Sequence, residues 1–318
     1  MKNEMDNREV DLVYLWVDGS DPVWRNKRNA VIGCTEEKSA VNCEGRYADN
    51  DELKYSLRSV EKYAPWIRRI FIVTDNQIPA WLDTSDPRIR IVDHNEIMPG
   101  NSLPCFNSSV IEHFICRIPG LSERFLYAND DMYINRPVTP EMFFASDGLP
   151  IIRLNRRFLR KYYLLFNERF RKKTLSNYNT IVRNAADLVE KKFGVYIGGK
   201  AHHNIDSYLK SDCLRVEEMF KKEFQPTFSN HVRKPDDIQR SIYHYVALAE
   251  KRGHLRYVTQ KESLRIHIQN PGHYKKIKKY NPMLFCMNDS EYAHDKDRRI
   301  ASEFLQNLFP EKSRFEKD

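Results

Sequence analysis

The chain is poor in glycine and cysteine and has no long apolar run. Glycine occurs 11 times in 318 residues. No Walker loop, GxGxxG, HExxH or GxSxG is present, so the sequence gives no motif for P-loop hydrolysis, dinucleotide binding, zinc proteolysis or serine hydrolysis. The six cysteines, at 34, 43, 105, 116, 213 and 286, show no CxxC spacing. That argues against a zinc site, and in a chain this long they do not form a disulfide framework. No stretch approaches the ~20 apolar residues of a membrane span. Met1 to Glu9 is polar and charged, with no apolar signal region. These absences predict a reducing, cytoplasmic location. There is no internal repeat and no low-complexity segment.

What is present is a globular composition, 41% hydrophobic, with a net charge of +8. The length fits two domains, or one large α/β domain with insertions. The surplus of positive charge favours an acidic partner: phosphates, a nucleic acid or an anionic membrane face.

The most informative stretch runs from Phe125 to Asn135. Phe125, Leu126, Tyr127 and Ala128 form a short apolar run that ends in Asn129, Asp130 and Asp131. This predicts a buried strand with carboxylates at its C-terminal end. In open α/β sheets ligands bind at that end, and two adjacent carboxylates there need a compensating cation. A hard divalent metal on a nucleotide phosphate meets that need. An ordinary Asn-Asp-Asp turn is the plainer alternative. Val10 to Val17 predicts a second such strand, ending in Asp18-Gly19-Ser20-Asp21-Pro22.

Further along, residues 35–49 read as a polar loop, and Asp49 to Glu52 open a helix with Leu53, Leu57 and Val60 at core spacing, stopped by Pro65. Arg69 to Asp75 and Ile89 to Asp93 predict two more strands. Ser108 to Ile118 predicts a helix. The alternation predicts an α/β fold with a mostly parallel sheet of nucleotide-binding type. Residues 153–173 carry nine basic residues and one acid, interleaved with aromatics. They read as a solvated basic face, a phosphate site or a contact with anionic lipid. Helices are predicted at Tyr178 to Phe193, Ile205 to Phe224, Asp236 to Arg252 and Asp295 to Leu308. The expected division is a core at 1–150, a basic and aromatic helical insert at 151–200, and a mostly helical part at 201–318.

Several polar residues carry possible chemistry. His202 and His203 follow the Gly198-Gly199 pair, and a histidine there suits a general base, although most histidines are structural. Arg233 has a fork suited to phosphate. Asp237 either orients it or caps a helix. Glu112 lies on the helix before the Asn-Asp-Asp strand and is either exposed or a second carboxylate in the cleft. Cys286-Met287-Asn288-Asp289 follows an apolar run and means little by itself.

Taken together, these segments resemble the conserved blocks of the Stealth family, the sugar-phosphate transferases of microbial surface polysaccharides related to the lysosomal-enzyme N-acetylglucosamine-1-phosphotransferase. The first block is Asp11 to Pro22. The second runs from Asp49-Asn50-Asp51-Glu52-Leu53-Lys54-Tyr55-Ser56-Leu57-Arg58-Ser59 through Ile72 to Pro79, Ile111-Glu112 and Arg117 to Ser122, ending at Asn129-Asp130-Asp131. The third is Ala201-His202 through Val232-Arg233 and Asp237-Ile238-Gln239, and the fourth Cys286 to Asp289. The third block departs from the family pattern, since His203-Asn204 stands where a proline is often near. The basic insert has no counterpart.

The resemblance implies a glycosyltransferase-A-like, Rossmann-like core and transfer of a sugar 1-phosphate from a UDP-hexose or UDP-N-acetylhexosamine to a glycan hydroxyl, with release of UMP. It implies nucleotide-sugar contacts at Asp18, Gly19, Asp21, Arg58, Asp75 and Asn76. It implies a divalent metal, Mg2+, on Asp130, Asp131 and Asn288. Arg233 would stabilise phosphate charge, with Asp237 beside it, and His202 would be the base, with Glu112 as competitor. A lipid-linked acceptor and work at the inner face of the membrane follow from the family's role. A metal-dependent glycosyltransferase that releases UDP fits the acidic strand ends equally well, and the nucleotide released separates the two. A nucleic-acid-binding protein fits the charge, but no nucleic-acid module is recognisable.

Overall fold

The structure is a computed structural model that describes residues 9–32, 47, 50–156, 161, 162, 166, 175–290 and 292–317. Most of the expected loop at 35–49, with Cys34 and Cys43, lies outside the described residues, as does most of the basic stretch beyond Asn155.

The central sheet is built from the strands that the apolar runs predict. β1 (Val10–Leu15), β2 (Ile70–Thr74), β3 (Ile89–Asp93) and β4 (Arg124–Asn129) are parallel. β1 and β2 are buried along almost their whole length, as parallel strands covered on both faces are. A fifth strand, β8 (Asp206–Leu209), completes the sheet, giving the order β3-β2-β1-β4-β8. The helix Glu52–Tyr63 covers one face through Leu53, Leu57 and Val60. The helix Ser108–Phe114 covers the other through Val110, Ile111 and Phe114. All four parallel strands therefore deliver their C-terminal loops to one edge.

β5 (Met132–Ile134) follows the Asp130-Asp131 turn directly and starts a second sheet. β6 (Ile151–Asn155) opens the stretch expected to be a helical insert. Ile152, Arg153 and Leu154 are buried there, so the segment pairs as a strand between β7 (Lys200–Ala201) and β9 (His254–Tyr257). The helix Asn177–Phe193 ends at Gly194, whose φ of 69° gives the left-handed cap.

The helix expected over Ile205 to Phe224 begins only at Lys210. Asp206–Leu209 is instead β8, fully buried and antiparallel to β4. Burial on both faces leaves no helical periodicity to read, and pairing with β4 decides the conformation. Likewise the helix expected over Asp236 to Arg252 is confined to Ser241–Ala249. β10 (Ser263–His267) and β11 (Leu284–Asn288) run parallel, joined by the helix Pro271–Tyr280. β11 pairs with β5, so the Cys286 end of β11 meets Asp131 at the edge of the first sheet. The C-terminal half is thus rich in helices but also supplies β7 to β11. The helix Asp295–Leu308 stands as expected. One core runs from Val13 to Ala247 and joins all three expected segments. No described helix is long and apolar enough to cross a membrane.

Candidate active site

A cavity of about 150 Å³ opens at the C-terminal ends of β1, β2 and β4. Trp16, Asp75, Asn129 and Asp130 line it from the strand ends, and Ser108 and Arg233 line it as well. Trp24, Tyr47 and Phe106 add an aromatic side: the Trp24 ring lies 5.2 Å from Tyr47 and 5.4 Å from Phe106. A larger cleft of about 330 Å³ lies around Phe114, Gln225 and Phe228. Its Arg117 and Glu217 pair with each other, and no strand end reaches it, so the chemistry belongs to the smaller cavity.

The first expected site loop is held from below. Gln77 accepts from the Asp18 amide and donates to the Asp18 carbonyl and the Asp21 carboxylate, at 3.1, 2.9 and 3.0 Å. That bond, with the Val23 amide, holds the Asp21 carboxyl below the usual carboxylate range. Gly19 packs against residue 47, where an added Cβ would stand 2.4 Å from Tyr47 Cβ and from its carbonyl oxygen. Asp75 binds Lys27 at 2.6 Å. Asn76 sits at φ 55°, and its amide donates to Asp93 at 2.6 Å.

Arg58 does not join them. It is buried on the Glu52–Tyr63 helix, with Nε and Nη2 donating to Glu316 at 2.8 and 2.7 Å and Nη1 to the Phe309 carbonyl at 2.8 Å. Its donors are committed to the C-terminal segment, so Arg58 is an anchor rather than a nucleotide ligand.

Arg233 lines the cavity. Nη2 donates to Ser108 Oγ at 2.7 Å, while Nη1 is buried with no partner. A buried guanidinium nitrogen without an acceptor is costly to leave so, and an anionic oxygen in the cavity would satisfy it. Asp237, fully buried, accepts from Asn107 and Asn230 at 2.8 and 2.7 Å and from the Lys234 amide at 3.1 Å. It shapes the loop that carries Arg233 and does not face the cavity. Burial raises its pKa despite those bonds.

His202 is 3% exposed: Nδ1 lies 2.9 Å from Ser263 Oγ in a hydrogen bond, and Nε2 stands 3.0 Å from Asp206 Oδ1, at ion-pair distance but without hydrogen-bond alignment. Buried between Ser263 and Asp206, the ring is placed to brace the site. From Asp206 a line of buried charges leads to β4. Asp206 Oδ2 accepts from Arg240 Nη1 at 2.9 Å, and Arg240 Nε lies 3.3 Å from Glu112 Oε2. Glu112 Oε1 is 3.1 Å from the Tyr127 hydroxyl, which also meets Asn129 at 2.8 Å. The Arg240 guanidinium stacks over the Tyr127 ring, 4.4 Å from its centroid. Burial favours a neutral Asp206, but Arg240 and His202 outweigh it and hold the carboxyl well below its ordinary value. For Glu112 burial wins over Arg240, and the pKa rises.

Arg240, Asp206 and Tyr127 escaped the sequence reading. Arg240 directly precedes the nearly all-buried helix Ser241–Ala249, and a charged residue at the head of so apolar a helix was the available signal. Tyr127 reads simply as part of an apolar strand.

Asp131 meets a different group. Its Oδ2 accepts from Cys286 Sγ at 3.2 Å, and its Oδ1 is buried without a partner. Burial pushes its pKa up to about 6. Donor atoms of Asp131, His203 and Cys286 lie within 4.8 Å of one another. Asn288, at the end of β11, also has a buried Oδ1 without a partner. The unpartnered oxygens fit a cation. The imidazole and thiol in reach depart from the all-oxygen shell that Mg2+ favours. Asp130 accepts from the Asp131 amide at 3.0 Å and faces the cavity.

Conserved region 1 of the Stealth proteins matches residues 8–33, and conserved region 2 matches residues 46–152. An exopolysaccharide phosphotransferase of Lactiplantibacillus plantarum is 32% identical over 97% of this chain and 96% of that protein. One of Streptomyces coelicolor is 35% identical over 97% of this chain but 52% of that protein, and one of Mycobacterium tuberculosis 34% identical over 97% and 58%. The chain thus spans about half the length of several curated relatives it matches. Among solved structures, the galactosyltransferase LgtC in complex with donor and acceptor sugar analogues aligns over 95% of this chain and 96% of that one, at 12% identity and a TM-score of 0.46. On its likeness to these relatives over nearly its whole length, the chain belongs to the Stealth family, with the exopolysaccharide phosphotransferases.

Proposed function

We propose that the protein transfers a sugar 1-phosphate from a UDP-N-acetylhexosamine or UDP-hexose to a glycan hydroxyl, forming a phosphodiester and releasing UMP, in surface polysaccharide synthesis. The observation that carries this reading is the unpartnered, buried Nη1 of Arg233, a residue that lines one cavity with the acidic strand ends at Asp75 and Asp130. A guanidinium so placed suits an anionic phosphoryl group, and phosphoryl transfer depends on charge stabilisation and alignment.

In this reading Trp16, Trp24, Tyr47 and Phe106 take the uracil ring, and the loop Asp18 to Asp21 closes over the ribose. Arg233 draws the sugar-linked phosphate toward Ser108. Asp131, His203 and Asn288 would hold a divalent ion, with Asp130 adjacent in sequence to Asp131; the imidazole admits Mn2+ alongside Mg2+. Such an ion supplies charge neutralisation on the phosphates. Glu112 takes the proton of the acceptor hydroxyl once that hydroxyl displaces Tyr127 from Oε1, its raised pKa making it a stronger base than an ordinary glutamate and Arg240 fixing its orientation. His202 positions Asp206, which holds Arg240. The acceptor is a glycan, free or lipid-linked, and the enzyme works at the inner face of the membrane.

The test is the identity of the nucleotide released. Protein, Mn2+ or Mg2+, a panel of UDP-sugars and a surface-glycan acceptor are combined, and UMP is resolved from UDP by chromatography. UMP that depends on acceptor supports the reading; UDP in its place assigns sugar transfer instead.

A further inference from the structure

Charge in this chain is strongly segregated. Residues 251–280 hold nine lysines and arginines against a single acid, Glu262. Arg252 is neutralised by Asp212 at 2.8 Å and Arg256 by Glu262 at 2.5 Å. The densest part, the helix Pro271–Tyr280, carries Lys275, Lys276, Lys278 and Lys279 and no acid. All four are exposed, and none is paired with a carboxylate among the described residues.

The arrangement works against the helix itself. Lysines three and four positions apart stand side by side, so 275 with 278, 275 with 279 and 276 with 279 repel one another. The helix C-terminus favours Lys278 and Lys279, but not the two before them. The other face is clamped: Ile277 is buried, the Tyr274 hydroxyl donates to the Ile268 carbonyl at 3.0 Å, and its ring packs edge-on against Phe304 at 5.2 Å. The lysines are therefore held outward on a fixed rod about 15 Å long. The N-terminal cap of that rod, Asn270, lies three residues beyond His267, which pairs in register with Asn288, and the rod then runs back along the sheet towards the start of β11.

We propose that this lysine helix is a docking track for a linear glycan whose repeats are joined by phosphodiesters, a polyanion of the same chemistry as the product. The proposal rests on the function given above, because each transfer of a sugar phosphate adds one negative charge to the chain. Such a chain arrives at the cavity already charged. Four exposed ammonium groups along one helix, none with a carboxylate partner among the described residues, match its spaced, singly charged linkages. They would retain the chain between turnovers.

The test uses the whole protein and its K275Q/K276Q/K278Q/K279Q variant. Binding of a fluorescein-labelled poly(glycerol phosphate) is measured by anisotropy at low and moderate salt, beside an uncharged dextran of similar length and vesicles containing phosphatidylglycerol. The variant is expected to bind the polymer of the order of 100-fold more weakly at low salt, with a shallower salt dependence. Neither protein is expected to bind dextran, and UMP release with a short acceptor is expected to be unchanged. Thermal unfolding checks that the variant is folded; the K275Q/K276Q pair serves if the fourfold change is not tolerated. Equal polymer affinity in wild type and variant overturns the proposal, as does a loss confined to vesicle binding. UDP release by the wild type would refute the transfer reaction and leave the polymer measurement standing on its own result.

Discussion

Replacing Arg58 separates an anchor from a substrate ligand. The Arg58 guanidinium is 7% exposed and donates along a two-bond fork to Glu316, which itself accepts from the Ser313 amide at 2.8 Å. Arg58→Met would leave the Glu316 carboxylate buried without its cation and the Phe309 carbonyl without its donor. Breaking one side of a buried pair costs about 3–5 kcal/mol. For a domain of this size each kcal/mol lowers Tm by roughly 2–4 °C, so the variant should melt roughly 6–20 °C below wild type. Arg58→Met combined with Glu316→Leu should regain most of the loss, because no charge is then stranded. The pH dependence has a defined sign. Burial opposes ionisation of Glu316, but the Arg58 bonds outweigh it and lower its folded pKa. The pair's contribution is therefore present above the ordinary glutamate pKa and disappears as pH falls through the lowered folded value. The acid limb of the wild-type stability curve should be steeper than that of the variant. Calorimetry gives Tm, and titration calorimetry with the UDP-sugar, run well below Tm, gives nucleotide affinity. An unchanged Tm with lost nucleotide binding would refute the anchor assignment.

Three other substitutions follow from the same contacts. Arg233→Met should lower turnover by about 10²-fold or more, since one preorganised charge on a transition-state oxyanion is worth that much; a steady-state assay showing only a raised KM would contradict the role. Gly19→Ala forces a Cβ to 2.4 Å from the Tyr47 backbone and side chain, and the resulting strain of about 1–3 kcal/mol should appear as weaker UDP-sugar binding in titration calorimetry. Asp206→Asn removes the carboxylate between His202 and Arg240. Its folded pKa is depressed, so wild type should keep that contribution down to strongly acidic pH and lose it only as pH falls through the depressed value. Denaturant titrations over a pH series should show the stability gap between the two proteins closing only at that acid end.

The part of the fold that was legible is the part with simple periodicity. β1 to β4 are short apolar runs ending in polar turns, and the helix Glu52–Tyr63 has a regular apolar stripe. β8 was not legible, because Asp206 and Ser207 are polar yet buried, and only pairing with β4 and the Arg240 contact account for them. β9 was hidden for the opposite reason: all four of its residues are exposed at a sheet edge. Among the expected site residues, Asp75, Asp130 and Arg233 line one cavity. His202 and Arg58 lie in the same kind of motif, but what they do depends on partners far off in sequence, Ser263 and Glu316, which no local pattern names.

The most direct test of the transfer reaction follows the phosphorus atom. A UDP-sugar carrying ³²P in the sugar-linked phosphate is incubated with the enzyme, metal and acceptor, and glycan and nucleotide are separated. The account predicts label in the glycan, resistant to phosphatase because it lies in a diester, and unlabelled UMP. Label retained in UDP, with an unlabelled glycan that has gained only sugar, would contradict it.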